Sequence, residues 1–429
     1  MKLKSITLQN FKGIEDLTIV LDGKTTVLFG INGVGKSSIL RAVDLLYANI
    51  IAKLIGTGKK KSTELDYHEI SYGKSKANIS AVFSFEDGVE MQCSRSIDRA
   101  TGRKHNVAEL KLLVEKFQDS YLVKGHDDGA GNWIDESDNK NMPVFANYGV
   151  NRIVLDVPVR ASKEQFVKLD AFDKAIESTI DFRNLFKWFR NQEDMENQAK
   201  VREDLEYEDR SLSAVKQAML AMLDGFEDIH IDRKPLEMKV KKDGKYLTIN
   251  QLSDGEKCTI ALFGDLARRM ALANPERDNP LDGTGVVLID ELDLHMHTSW
   301  QRKVLGVLKN TFPNIQFIIT THSPQILGEV DDTFNLLYMF KEGKKISFKP
   351  YKSFIGWDAN VILEDVMCTA SVNQDIREMR DEMYSLIEEK KFDKAEELAD
   401  LLDEKSNGYA GIAKARVLIS RGRRHEKNK

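Results

Sequence analysis

An α/β fold, with a mixed, largely parallel sheet, flanking helices and an antiparallel β subdomain, follows from three features of this 429-residue chain. The apolar runs "VVLID" and "FIIT" suit central strands covered on both faces. A short apolar strand, "TTVLFG", passes through the glycine-rich "GINGVGKS" into the helical pattern "SILRAVDLLYANI". Alternating segments near the N-terminus ("LKSITLQNF", "NISAVFSF", "VEMQCSRSI") read as antiparallel strands.

Beyond those strands, from Asn106 to Met142, the secondary-structure signals weaken, and "KGHDDGAGNWIDESDNKN" reads as a polar loop. "MPVFANYGVNRIVLDV" reads as a strand and a turn. Residues 160–226 are charge-rich and form a helical insertion or arm, with Phe182, Leu185, Phe186 and Phe189 as its packing stripe. The α/β pattern resumes with a strand pair, "IDRKPLEMKV" and "KYLTI", then a helix opened by "LSDGEK". "GVVLIDEL", a helix, "IQFIITTHSP" and a last strand pair within "NLLYMFKEGKKISFK" complete it. From Trp357 the pattern is helical and ends in the basic tail "SRGRRHEKNK". The expected division is therefore 1–159, 160–226, 227–355 and 356–429.

Hydrophobic residues make up 41% and charged residues 31%, enough for a large core beneath a charged surface. A net charge of −5 gives no whole-chain signal for nucleic acid. Cys93, Cys258 and Cys368 are scattered, which fits a reducing compartment better than a disulfide framework. With no secretory h-region and no stretch of membrane-spanning length, the expectation is a cytoplasmic protein with no membrane partner.

"GINGVGKS" fits G-x-x-x-x-G-K-[ST] between a strand and a helix, the context that motif needs. Gly30, Asn32, Gly33, Val34, Gly35, Lys36, Ser37 and Ser38 would wrap a nucleotide's phosphates. Lys36 would reach the β- and γ-oxygens, and Ser37 would ligate Mg²⁺. Asp290, ending "VVLID", would hold the same ion, and Glu291 would orient or deprotonate a water. His322 closes "FIITTHSP", where a side chain can reach the γ-phosphate. In "LSDGEK", Ser253 and Glu256 have capping-box spacing. Ser253, Asp254, Gly255, Glu256 and Lys257 also form a helix N-terminus able to face an anion.

The order P-loop, long insertion, LSxGE, strand-DE, strand-H resembles the ATP-binding-cassette ATPases, specifically the SMC/RecF-like branch. The resemblance implies an ABC-type ATPase head that binds ATP and Mg²⁺. It also implies a head-to-head homodimer around two ATP, with Ser253 to Lys257 acting in trans. Lys36, Ser37, Asp290, Glu291 and His322 would act in cis, and "NFKGI" would set Phe11 and Lys12 near the adenine and ribose. Two departures stand out. The Q-loop glutamine is not evident: Asn147, Tyr148, Asn151 and Arg152 fill the region where it belongs, with Gln92 a weaker candidate. His297 occupies the D-loop aspartate position. His295 and His297 lack a third ligand at metal spacing and read as subunit-contact residues. The insertion is too short for a long coiled-coil tether.

The segments "FKWFRNQEDMEN", "DELDLHMHTSWQ" and "GWDANVILEDVM" resemble compact ATPases of bacterial anti-phage defence, the Septu/retron-associated PtuA family above all. That resemblance implies a slow, regulatory ATPase, higher oligomers and a separate HNH nuclease partner of the PtuB kind. No H-N-H pattern or Toprim array is visible in the chain, so cleavage would fall to the partner. Residues 356–429 would serve docking or oligomerisation. The alternative is RecF-like, ATP-dependent binding of double-stranded DNA in repair, with Arg421, Arg423 and Arg424 as the dense basic cluster.

Overall fold

β-Branched and aromatic runs set the centre of the larger of two compact units, Met1–Trp357; Asp358–Lys429 forms the other. The computed structural model describes residues 1–55, 64–105, 107–122, 126–127, 133–134, 141–152, 166–202, 204–343, 345–369, 374–406 and 411–427. Most of the polar loop after Leu122 and the "IVLDV" run lie outside the described residues.

In chain order, β1 (Lys2–Phe11), β2 (Ile14–Val20) and β3 (Thr26–Phe29) lead into α1 (Lys36–Ile55). β4 (Lys76–Ser84), β5 (Glu90–Asp98), β6 (Gly102–His105), α2 (Val107–Tyr121), β7 (His126–Asp127), β8 (Trp133–Ile134) and β9 (Val144–Tyr148) follow. Next come α3 (Phe182–Arg202), α4 (Arg210–Leu220), β10 (Phe226–Arg233), β11 (Leu236–Lys242), β12 (Lys245–Thr248) and α5 (Asp254–Ala273). β13 (Gly285–Ile289), α6 (Thr298–Thr311), β14 (Ile315–Thr321), α7 (Pro324–Leu327), β15 (Asn335–Glu342) and β16 (Lys345–Tyr351) complete the unit.

The central sheet has the order β16-β15-β3-β14-β13-β9, parallel except for the edge strand β16. Every residue of β3, β9, β13 and β14 is buried, as continuous apolar strands in a doubly covered sheet require. Their register decides where the site lies. Phe29 pairs with Thr321 and Ile289 with Ile319, so the loops after β3, β13 and β14 leave from one carboxyl edge. A second, antiparallel sheet has the order β2-β1-β4-β5-β6, and a third joins β10, β11 and β12. The expected fold class is present, but "IDRKPLEMKV", read as one strand, is divided between β10 and β11, which turn at Lys234 and Pro235 and pair with each other.

A long helix went unread in the sequence. In α2, Leu110, Leu113, Val114, Phe117 and Tyr121 are buried, the 3–4 spacing of an amphipathic helix. Its apolar residues sit among Lys, Glu and Gln, which dilutes the local signal. The stripe on α3 is buried as expected: Phe182, Leu185, Phe186 and Phe189, joined by Trp188, turn inward. Burying each is worth roughly 1.5–3 kcal/mol. No helix among the described residues is long and apolar enough to cross a membrane.

The second unit holds α8 (Ala359–Val361), α9 (Gln374–Glu388), α10 (Phe392–Ser406) and α11 (Gly411–Lys427). Met383, Ala399, Leu402, Ile412 and Ala415 form one apolar cluster between its helices, and Phe392, Ala395 and Ile419 form another. Acids of α10 pair with two arginines of α11. Arg416 pairs with Asp400 at 2.7 Å and Asp403 at 3.1 Å, and Arg423 pairs with Asp393 at 2.7 Å and with Glu396. Arg423 is thus already engaged within the basic cluster that the DNA-binding alternative relies on.

Candidate active site

The loop between β3 and α1 turns sharply into the helix. Gly35 sits at φ +90°, and a side chain there would also press on Ile346 at 3.2 Å. Lys36 opens α1 and is buried; its ammonium donates to the carbonyls of Gly30 (2.9 Å) and Ile31 (3.0 Å). Burial lowers its pKa to about 8, against the opposing charges of Asp290, Glu291 and Asp293. The amine therefore lies at the mouth of a helix N-terminus whose first amides have no intrahelical acceptor.

Two acids approach from the sheet. The Ser37 hydroxyl donates to Asp290 Oδ1 at 3.1 Å, and the Thr320 hydroxyl donates to the same oxygen. Glu291 has a left-handed backbone, φ +48°, a strained state that costs a non-glycine residue roughly 1–3 kcal/mol. Its N–H donates to Thr320 Oγ1 at 2.7 Å, and Leu292 N–H to the Thr320 carbonyl at 3.0 Å. Asp293 accepts from Thr321 Oγ1 at 2.6 Å and from His322 N–H at 3.3 Å. Burial first, then the nearby Lys36 cation, lower the His322 pKa, so the ring is neutral near neutral pH.

These groups enclose a cleft of about 210 Å³. Asn32, Gly33, Gly35, Lys36, Ser37 and Ser38 line one side; Asp290, Glu291, Thr320 and His322 line the other. The hydroxyl and carboxylate of Ser37 and Asp290 form a hard-oxygen pair that fits Mg²⁺. Nine of the residues expected at a nucleotide site thus meet here. Gly30 contributes its carbonyl to Lys36, and Val34 is fully buried.

Three expectations change. Phe11 is fully buried, so its ring presents no surface to a base. Lys12 lies off the cleft, 4.0 Å from Glu69 Oε1, and Gly13 forms the wall instead. Glu256 is not free to meet a phosphate. It accepts from the Ser253 N–H and hydroxyl, each at 2.8 Å, and from Lys242 at 2.6 Å. The capping box is formed, with Ser253 at the N-cap of α5. Asp254 and Lys257 approach each other at 3.5 Å. Gly255 is needed for close approach, since a Cβ there would lie 2.4 Å from the His295 carbonyl oxygen. None of Ser253 to Lys257 lines the cleft of its own chain.

Residues 25–328 match the family described as "AAA domain, putative AbiEii toxin, Type IV TA system". The chain belongs to this AAA-domain family. It is 30% identical over 440 residues to "Retron Ec83 probable ATPase" of Escherichia coli, covering 85% of this chain and 76% of that protein. It is 26% identical over 402 residues to the "Septu protein PtuA" of Bacillus mycoides, covering 90% of this chain and 47% of that one. The expected resemblance to retron and Septu ATPases is met. Among solved structures, the SMC head domain from Thermotoga maritima is 16% identical, with a TM-score of 0.47, over 82% of this chain and 99% of that one.

In this AAA-domain chain, sequence reasoning did not assign Thr320, Asp293 or Arg152. Thr320 and Thr321 carried a signal, as hydroxyls at the end of an otherwise apolar strand. Arg152 lies where a Q-loop glutamine was sought, yet it is buried and directed at backbone. His297 N-caps α6, with Ser299 N–H donating to its Nδ1 at 3.3 Å. Among the described residues, no group of three His, Cys, Asp or Glu side chains comes together to hold a metal.

Proposed function

We propose that the chain is a Mg²⁺-dependent ATP hydrolase whose two copies close around two nucleotides and which controls a partner nuclease in bacterial anti-phage defence. The carrying observation is the meeting of Lys36, Ser37, Asp290, Glu291, Thr320 and His322 on one cleft, while Ser253 and Gly255 stay off it. Lys36 and the amides of α1 would bind the triphosphate; Ser37 and Asp290 would hold Mg²⁺, which neutralises charge on the phosphates. Glu291 would take the proton of the attacking water, and neutral His322 would hydrogen-bond beside the transferred group. The defence role and the nuclease partner are supported by the names of the retron and Septu relatives together with the resemblance described above.

Lys36→Ala tests the nucleotide site. Charge-assisted hydrogen bonds contribute about 1.5–3 kcal/mol, so affinity for ATP should fall by roughly 10- to 100-fold. Titration calorimetry with Mg-ATP reads this, and an unchanged affinity would remove the cleft from consideration. The partner is tested by expressing the chain with its neighbouring genes. Co-purification with an HNH-domain product is expected; a chain that always elutes alone contradicts the nuclease partnership.

A further inference from the structure

We infer that Arg152 is a positioning residue for hydrolysis: it holds the Glu291 backbone in its left-handed state and takes its own place from helix α5. This rests on the hydrolase reading. The Arg152 guanidinium donates to the Asp290 carbonyl at 2.6 Å, to the Glu291 carbonyl, and through Nε to the Gly149 carbonyl at 3.0 Å. Its side chain does not line the cleft, so it acts on the reaction through these carbonyls and its nearby charge, not by touching the nucleotide. A planar fork of donors suits the task, since it can bond adjacent acceptors at once where an ammonium is a point charge.

The Glu291 peptide is determined from both sides. Thr320 fixes its N–H, and Arg152 holds its carbonyl together with the Leu294 N–H. Without Arg152, the Asp290 carbonyl loses its donor and the Glu291 carbonyl keeps only the Leu294 N–H at 3.0 Å, so the chain can relax from φ +48° to an ordinary conformation, turning the carboxylate away. Helix α5 holds Arg152 in turn. Cys258 Sγ donates to the Arg152 carbonyl at 3.2 Å, and Tyr148 OH, just upstream in the same run, donates to Asp265 Oδ2 at 2.9 Å. The helix that begins at Ser253 therefore reaches the Glu291 backbone through one side chain.

The test uses the full-length chain with Arg152→Gly, which removes the fork, and Arg152→Lys, which keeps the charge but not the planar donors. Displacing a reacting group by about 1 Å costs on the order of 100-fold, so Arg152→Gly should lose roughly that in kcat. Mg-ATP affinity should stay within about threefold, because ground-state binding is untouched. Millimolar guanidinium should restore part of the turnover of Arg152→Gly and leave the wild type unchanged. Arg152→Lys should fold, bind ATP and turn over slowly. Wild-type kcat in both variants would overturn the inference, as would parallel loss of affinity, thermal stability and turnover with no guanidinium rescue. Glu291→Gln is run alongside. If it retains wild-type turnover, the hydrolase reading itself has failed; if it alone is impaired, only the role of Arg152 falls.

Discussion

Replacing Glu291 by glutamine is expected to lower ATP turnover by about 10²–10⁴-fold while ATP still binds. Glutamine keeps the shape of the side chain and its hydrogen-bonding reach, but it cannot accept a proton at neutral pH. The prediction depends on location. Glu291 lines the cleft opposite Lys36, and its strained φ of +48° is held by Thr320 on one side and Arg152 on the other. Lys36, Ser37 and Asp290 are unchanged in this variant, so Mg-ATP affinity should survive. Phosphate release and calorimetry separate the two quantities. Turnover near that of the wild type would assign the proton to another group.

Ser253→Arg is expected to reduce hydrolysis to background while a single chain still binds Mg-ATP. Ser253 lies outside its own cleft, so the substitution has no direct route to the nucleotide its own chain holds. It does remove an N-cap, and that part has a known scale, about 0.5–2 kcal/mol of stability. Ser253→Ala removes the same cap without adding bulk, so comparing the two isolates the effect at the helix end. Both should lose a few degrees of Tm. Only the arginine should also block approach of a second chain's phosphates to the α5 N-terminus. If Ser253→Arg hydrolyses ATP at the wild-type rate, the LSDGEK segment only starts a helix.

Much of the site was legible because its chemistry demands particular residues at particular places. The glycines of the P-loop, the lysine at a helix start and the acids at a strand end must appear in fixed local order, and the parallel register of β3, β14 and β13 then brings them together. Other parts depend on tertiary partners that no local window shows. Glu256 read equally well as a cap residue or as a phosphate neighbour, and only Lys242, on β11, shows it to be braced. Phe11 was expected near the adenine, but its strand turns it into the core. Arg152 lies in the region where the Q-loop glutamine was sought, and its Asp290 and Glu291 carbonyl partners lie far away in sequence. Helix α2 was hidden by its charged residues although its apolar spacing was regular.

Whether Ser253 completes the site of a second copy is read by co-expressing two inactive chains, one carrying Lys36→Ala and the other Ser253→Arg. In the mixed pair, the intact P-loop of the Ser253→Arg chain faces the intact signature of the Lys36→Ala chain, so one complete site forms. The expected result is ATP turnover in the mixture well above that of either variant alone. Turnover no greater than the sum of the two separate backgrounds would contradict a site shared between copies.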